Sequence, residues 1–478
     1  MLEVLGRILS FGGPSTVISR GWRAPWSRSR PVRSALFYSL IDSLTATAAF
    51  VLVERFFIPY LRELGSTDQQ VGVLTSVPFL MASLSQIISP GIVARSRKRK
   101  PLCVTAVLLQ VLWLLLILGL RFMPKNLTFR AAVVLFSLYA IFGSIQMGAW
   151  ASWMADLLPD QSRSRYFGWR QQVSSLFSMP IAFLAGALLD QSGSNPLVGF
   201  TAVFAIALSL RFISAIALSI QYEPPMKEEP HSDRVSFLNY IRGDGNRVTL
   251  HAGLYFAGIT FATRLAWPSF VVYMLEDLDL SYTKYVVLGL VASVTNMVFI
   301  HFWGYVGGKI GNAKVMKIVW PGIVAIPALW TISGNYYYLV VLQIIAGICW
   351  SAHFLAAWNY ILDVSSPETR TRYVSYSMGI SGVVGAIGPL VGGLLVPHMP
   401  PMLGYSRRTI FAISAGLRLL AGVFLLGRLR EVKPVAHVGT DQLIYALPGG
   451  RPMIGIYRAV TRRANQGGSY DRTEESGE

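Results

Sequence analysis

The chain has 478 residues, of which 53% are hydrophobic and only 14% charged, with a mean hydropathy of +0.48. A soluble domain carries about a quarter charged residues, so this composition excludes a soluble globular protein and describes one integral to a membrane. The net charge of +18 would mark a nucleic-acid binder in a soluble protein; in a membrane protein, where the charges fall matters more than their sum. The two cysteines, Cys103 and Cys349, lie inside apolar stretches and have no metal-ligand spacing.

In chain order, residues 1–34 form a basic tail rich in Arg and Ser. That composition is shared with organellar transit peptides, but the simpler reading is a cytoplasmic tail that orients the first helix. A helix needs about 20 mostly apolar residues to cross a bilayer. Twelve such spans follow, at 35–60, 69–94, 102–121, 131–157, 167–189, 197–221, 249–275, 285–308, 315–333, 337–362, 373–396 and 409–427. A polar stretch, 222–248, divides them into six-span halves, 35–221 and 249–428, and a polar tail occupies 429–478. The triplet Asn126-Leu127-Thr128 fits a glycosylation sequon on an outer loop.

The stretch "ARSRKRKP" (94–101) carries five basic side chains in six positions, Arg95 to Lys100. Placing both termini in the cytoplasm puts 31 of the 42 Lys and Arg in inner segments and 7 in outer ones. By the positive-inside rule this orientation is strongly favoured, and the basic cluster becomes a cytoplasmic turn between spans 2 and 3 rather than a nucleic-acid patch.

The halves repeat each other. An offset of 207 carries Gln146 to His353, Asp156 to Asp363, Arg163 to Arg370, Tyr166 to Tyr373 and Arg211 to Arg418. Nearer the start of each half the offset is 213: Tyr60 to Tyr273, Glu63 to Glu276 and Gly91 to Gly304. Two parallel halves of this kind place a substrate site near the bilayer midplane and transport by rocking.

Three motifs then carry a resemblance. "GIVARSRKRK" (91–100) keeps Gly91, Arg99 and Lys100 of the pattern G-x-x-x-D-R-x-G-R-K but has Arg95 at the acidic position. Its second copy, "GYVGGKIGNA" (304–313), keeps Gly304, Lys309 and Gly311. "DLLPDQSRSR", with Asp156 and Arg163, and its repeat "DVSSPETRTR", with Asp363 and Arg370, look like the E-x-x-P-x-x-x-R-G pattern. In span 11, Gly382, Gly385, Gly388, Pro389, Gly392 and Gly393 form a small-residue stripe suited to close helix packing. Over 33–428 the chain resembles the major facilitator superfamily. The resemblance implies an all-α membrane fold of twelve helices in two pseudo-symmetric halves, with cytoplasmic turns that gate the cavity. The missing acid in both copies of the first motif departs from the family pattern and puts the usual latch in question. The Gly-Pro stripe resembles an element of proton–drug antiporters, which have it in helix 5; drug antiport is therefore not inferred.

Ionisable residues inside a span are costly and mark function by default. By resemblance, helices 1, 4, 7 and 10 line the cavity, which makes Asp42, Glu54, Arg55, Gln146, Arg264, His353 and Asn359 the candidate substrate and coupling residues. Pro268 lies four residues beyond Arg264 and removes a helical donor there. Arg264 is the candidate anchor for an anionic or carbonyl-bearing group, or a partner for Asp42 or Glu54. His353 titrates near working pH in its unperturbed form. Arg211 and Arg418 are read as structural, bonding helix-end carbonyls or reaching for inner-leaflet headgroups.

No P-loop, H-E-x-x-H or G-x-S-x-G occurs, so neither ATP-driven transport nor hydrolysis is expected. The reading is a non-enzymatic, cofactor-free secondary transporter of a small solute, driven by protons or by the solute's own gradient. It is expected to be multi-pass in the plasma or inner membrane, in contact with lipid, without nucleic acid, and functional as a monomer. The alternatives are a membrane receptor or scaffold that has lost transport, and a lipid translocase.

Overall fold

A run of apolar residues leaves the backbone one way to cross lipid alone, with each N–H bonded inside its own helix. The computed structural model describes residues 30–96, 98–158, 160–193, 195–225, 247–365 and 370–432, with the backbone alone for 160–162, 164 and 370–372. Each of the twelve expected spans is a helix. The first six are α1 (Arg30–Glu63), α2 (Asp68–Ser96), α3 (Arg99–Leu118), α4 (Lys125–Leu157), α5 (Asp160–Gln191) and α6 (Pro196–Ile220). The second six are α7 (Arg247–Val272), α8 (Tyr282–Ile310), α9 (Asn312–Leu329), α10 (Tyr336–Val364), α11 (Arg370–Leu395) and α12 (Ser406–Phe424). Ten are long and apolar enough to cross a membrane. The other two are α7, which carries His251 and Arg264, and α9, which carries Lys314 and Lys317.

Local signals explain several ends. Asn335 caps α10, its side-chain oxygen accepting from the amides of Tyr337 (3.0 Å) and Tyr338 (3.2 Å). Pro196 opens α6 at a position whose N–H has no helical partner. Gly311, at φ +92°, makes the one-residue turn between α8 and α9, a conformation that favours glycine. The sequon lies in the first turn of α4 rather than on a loop. Its Thr128 hydroxyl is bonded back to the carbonyls of Met123 (3.3 Å) and Pro124 (3.0 Å).

The chain divides into two packing units: residues up to 231 with 274–286, and 232–273 with 287 onward. In the first unit α1 packs on α5 and α6, α3 on α4 and α6, and α2 on α4. Trp153 is fully buried between Val93, Cys103, Val107 and Leu218, and its indole N–H donates to the Tyr222 carbonyl at 3.0 Å. In the second unit α7 packs on α11 and α12, and α9 on α10 and α12, around Tyr255, Met316, Ile323 and Tyr360.

The first unit also holds the segment Met274–Val286, the connection after α7 together with the first turn of α8. Arg62 forks onto the Glu276 carboxylate and bonds the Ser66 carbonyl at 2.8 Å. Asp190 accepts the first amides of α8, from Tyr282 (2.7 Å) and Thr283 (3.0 Å), while the Tyr282 hydroxyl donates to Glu63 at 2.8 Å. Gly186 lets this segment approach α5: a Cβ there would stand 3.1 Å from the Tyr282 carbonyl oxygen.

Helix α11 meets the α7 backbone through Gly388 and Gly392. A Cβ on Gly388 would lie 2.7 Å from the Phe261 oxygen, and one on Gly392 would overlap the Leu265 carbonyl. Gly392→Ala is therefore expected to cost about 1–3 kcal/mol of stability by forcing the two backbones apart. Thermal unfolding in detergent reads it; a melting temperature equal to wild type would show that the helices separate without loss.

Candidate functional site

Each unit ties together the end of its bundle that carries the α2–α3 and α4–α5 turns, or their repeats. Arg99, the first residue of α3, is fully buried. Its guanidinium pairs with Asp156 at the end of α4 and donates to the carbonyls of Ser152 (3.1 Å) and Pro224 (2.9 Å). Its own amide donates to Glu223 at 2.7 Å, and that carboxylate lies 3.5 Å from Arg99 Nε. One guanidinium thereby joins α3, α4 and the segment after α6. Arg163 caps the end of α4, donating to the carbonyls of Ala155 (2.5 Å) and Leu158 (3.2 Å). Gly91 and Arg95 are exposed and Lys100 is half-buried.

The second unit repeats this clasp with an amide at the position of the Arg99 guanidinium. Asn312 stands at the position of Arg99 and donates to Asp363 at 2.7 Å. Glu431 accepts the Ala313 amide at 3.0 Å, as Glu223 accepts that of Arg99. Lys309 lies over the Tyr305 ring at 5.9 Å, Gly304 is exposed with Leu355 against it, and a Cβ on Gly311 would overlap Glu431. The side chain of Arg370 lies outside the described residues.

Deeper in the first unit, a buried polar network crosses five helices. Asp42 on α1, 2% exposed, accepts from Arg170 on α5 (2.9 Å) and from the Ser214 hydroxyl on α6 (2.7 Å). The Arg170 guanidinium also lies over the Trp150 ring at 4.3 Å. Ser214 accepts from Arg211 (3.1 Å), whose other donors reach the side-chain oxygen of Gln110 on α3 (2.9 and 2.5 Å) and of Gln146 on α4 (3.4 Å). One guanidinium, that of Arg170, thus pairs with the carboxylate directly, and the other, that of Arg211, reaches it through the Ser214 hydroxyl. Glu54 is exposed on α1, and the Arg55 carbonyl accepts from the Tyr285 hydroxyl at 3.0 Å.

In the second unit His353 on α10 is buried, with its Nδ1 3.5 Å from the Tyr255 hydroxyl and its ring edge-on to Trp350. Arg264 is half-buried on α7, beside the α11 glycines, and Asn359 is half-buried on α10. Arg418 is 2% exposed on α12, its guanidinium 5.7 Å over the Trp350 ring and bonded to the Ile323 carbonyl at 3.0 Å. Both Arg211 and Arg418 are turned inward, not toward headgroups. Sequence reasoning missed Arg170, Gln110 and Ser214. Gln110, a lone amide in an apolar span, was the available signal; Arg170 looked like an orienting charge at a helix end.

The comparisons with known proteins agree with this architecture. The family model of the Major Facilitator Superfamily matches residues 36–263 and again 252–464. The chain belongs to the major facilitator superfamily. Such a chain is a multi-pass membrane protein built as a transporter and not as an enzyme. A tetracycline resistance protein, class H, from Pasteurella multocida is 31% identical over 134 residues, 27% of this chain and 33% of that relative, so the match spans a third of the relative's length. Among solved structures, the nucleoside transporter NupG covers 83% of this chain and 100% of its own at a TM-score of 0.66 and 13% identity. A bacterial homologue of the lysosomal transporter Spinster, inward-facing and occupied, covers 85% and 100% at 0.63 and 17%. A bacterial homologue of the iron transporter ferroportin covers 82% and 98% at 0.63 and 14%. At these identities they show the superfamily fold and no more.

Proposed function

We propose that the protein is a secondary transporter that moves a small solute by alternating access, with Asp42 as the group that couples transport to protons. The observation that carries this is the buried Asp42–Arg170–Ser214–Arg211 network. Ionisable groups inside a membrane are costly and are retained where they work. Protonating Asp42 removes the negative charge that pairs with Arg170, which frees Arg170 to turn toward another partner. A solute with a carbonyl or anionic group is a suitable one, and Arg264 and His353 are the corresponding candidates in the second half. The clasps at Arg99–Asp156 and Asn312–Asp363, with the turns at Gly91 and Gly304, act at the cytoplasmic ends of the halves, and the protein sits in the plasma membrane with both termini inside.

The test uses purified protein in liposomes loaded with a pH-sensitive dye. Tetracycline, nucleosides and organic anions are added outside, the first two because relatives carry those names. A coupled solute moves protons with it and changes internal pH. A solute that accumulates with no proton movement under any imposed gradient would remove the coupling role from Asp42, and a panel that neither binds nor moves would favour a receptor or scaffold.

A further inference from the structure

The two arginines at matching positions, Arg211 and Arg418, have opposite surroundings. The first unit gives Arg211 a side-chain amide from Gln110, a hydroxyl from Ser214 and, through that hydroxyl, the carboxylate of Asp42. At the repeat offsets the second unit has Ile323 for Gln110, Ala421 for Ser214, Tyr255 for Asp42 and Ser377 for Arg170. The carboxylate and the amides are gone, with His353 at the position of Gln146, and the cation is kept. Arg418 is 2% exposed, its Nε has no hydrogen-bond partner, and among the described residues no carboxylate reaches it. Its guanidinium donates to the Ile323 carbonyl, which Pro327, four residues on, leaves without a helical donor. That bond explains where one N–H points but does not neutralise the charge. An isolated cation in a low-dielectric interior is strongly unfavourable unless paired.

Two further polar groups are linked to it through Trp350. The Tyr255 hydroxyl occupies the sequence position of the Asp42 carboxylate, within 3.5 Å of His353 Nδ1. Trp350 joins the two groups, lying edge-on to His353 and under the Arg418 guanidinium. A hydroxyl, an imidazole and a guanidinium, with no acid among them, suit a small monoanion. We propose that the second unit binds such an anion, a halide or a carboxylate group, between Arg418, Tyr255 and His353, where it supplies the negative charge that Asp42 supplies in the first unit. This site shares His353 with the solute candidates of the second half, but it is held by Arg418 and does not depend on the identity of the transported solute or on proton coupling.

The test is thermal unfolding of the purified full-length protein in chloride, in formate and in gluconate at equal ionic strength. Chloride or formate, the halide and the smallest carboxylate, is expected to raise the melting temperature of wild type by a few degrees, saturably, through binding to the folded state alone. Which of the two does so identifies the source of the anion. Arg418→Met is expected to abolish the rise and, in gluconate, to be at least as stable as wild type because it removes an unpaired charge. Tyr255→Phe keeps the ring and loses the donor, so it should raise the half-saturating anion concentration several-fold. The proposal is overturned if wild type melts at the same temperature in all three salts, or if Arg418→Met keeps the rise. Should Arg418→Met fail to fold, an unchanged half-saturating concentration in Tyr255→Phe overturns it equally.

Discussion

Replacing Arg99 with Met is expected to destabilise the protein by about 3–5 kcal/mol, the cost of breaking a buried pair by removing one partner. The side chain is fully buried and Asp156 is 17% exposed, so the pair is largely withdrawn from solvent. The same change strips donors from the carbonyls of Ser152 and Pro224 and takes the charge away from Glu223. Arg99→Lys should recover only part of the loss, because an ammonium on a flexible stem cannot reproduce a fork that serves three directions. The repeat supplies an internal control. Asn312 makes one hydrogen bond to Asp363, and Asn312→Ala should cost only about 0.5–1.5 kcal/mol. Unfolding of the three variants beside wild type, in one detergent, settles the comparison. Equal losses from Arg99→Met and Asn312→Ala would show that the charge at residue 99 adds nothing to the clasp.

The second large effect is at Asp42. Asp42→Asn leaves the Arg170 guanidinium without its carboxylate, and Arg211 without the charge it reaches through Ser214, and is expected to cost about 3–5 kcal/mol. Adding Arg170→Met removes one of the stranded charges, so the double variant should be more stable than Asp42→Asn alone. That non-additivity is the signature of direct coupling. Transport should separate from stability: Asp42→Asn is expected to lose the solute-triggered change in internal pH while still exchanging labelled solute across the membrane. A neutral variant that still moves protons with solute would transfer the coupling role to another group.

The membrane fold was legible because lipid imposes a simple rule on the chain. Hydropathy found all twelve helices, yet it put the start of α1 at 35 and of α5 at 167, whereas the helices begin at Arg30 and Asp160. Helical hydrogen bonding continues past the apolar stretch, so hydropathy stops before the helix does. Asp42 stood out as an acid in an apolar span, but its partner did not. Arg170 lies near the end of a span among orienting arginines, and only the packing of α5 on α1 brings it to Asp42. The repeat marked Arg211 and Arg418 as equivalent and could not say that one is compensated and the other is not, because the compensating groups come from four different helices. Nor could it show that residues 274–286 pack with the first unit, since that depends on Arg62, Glu63 and Asp190, which lie far away along the chain.

That last arrangement bears on how the protein is made. The first unit has all six of its own helices once residue 220 has been synthesised, but Arg62, Glu63 and Asp190 meet Glu276, Tyr282 and Thr283 only when those residues emerge. Between those moments the ribosome adds the linker and the whole of α7. The early half therefore waits, inserted but unfinished, for a short piece of the later one, and a chain cut within the linker would separate the first unit from the stretch that completes it.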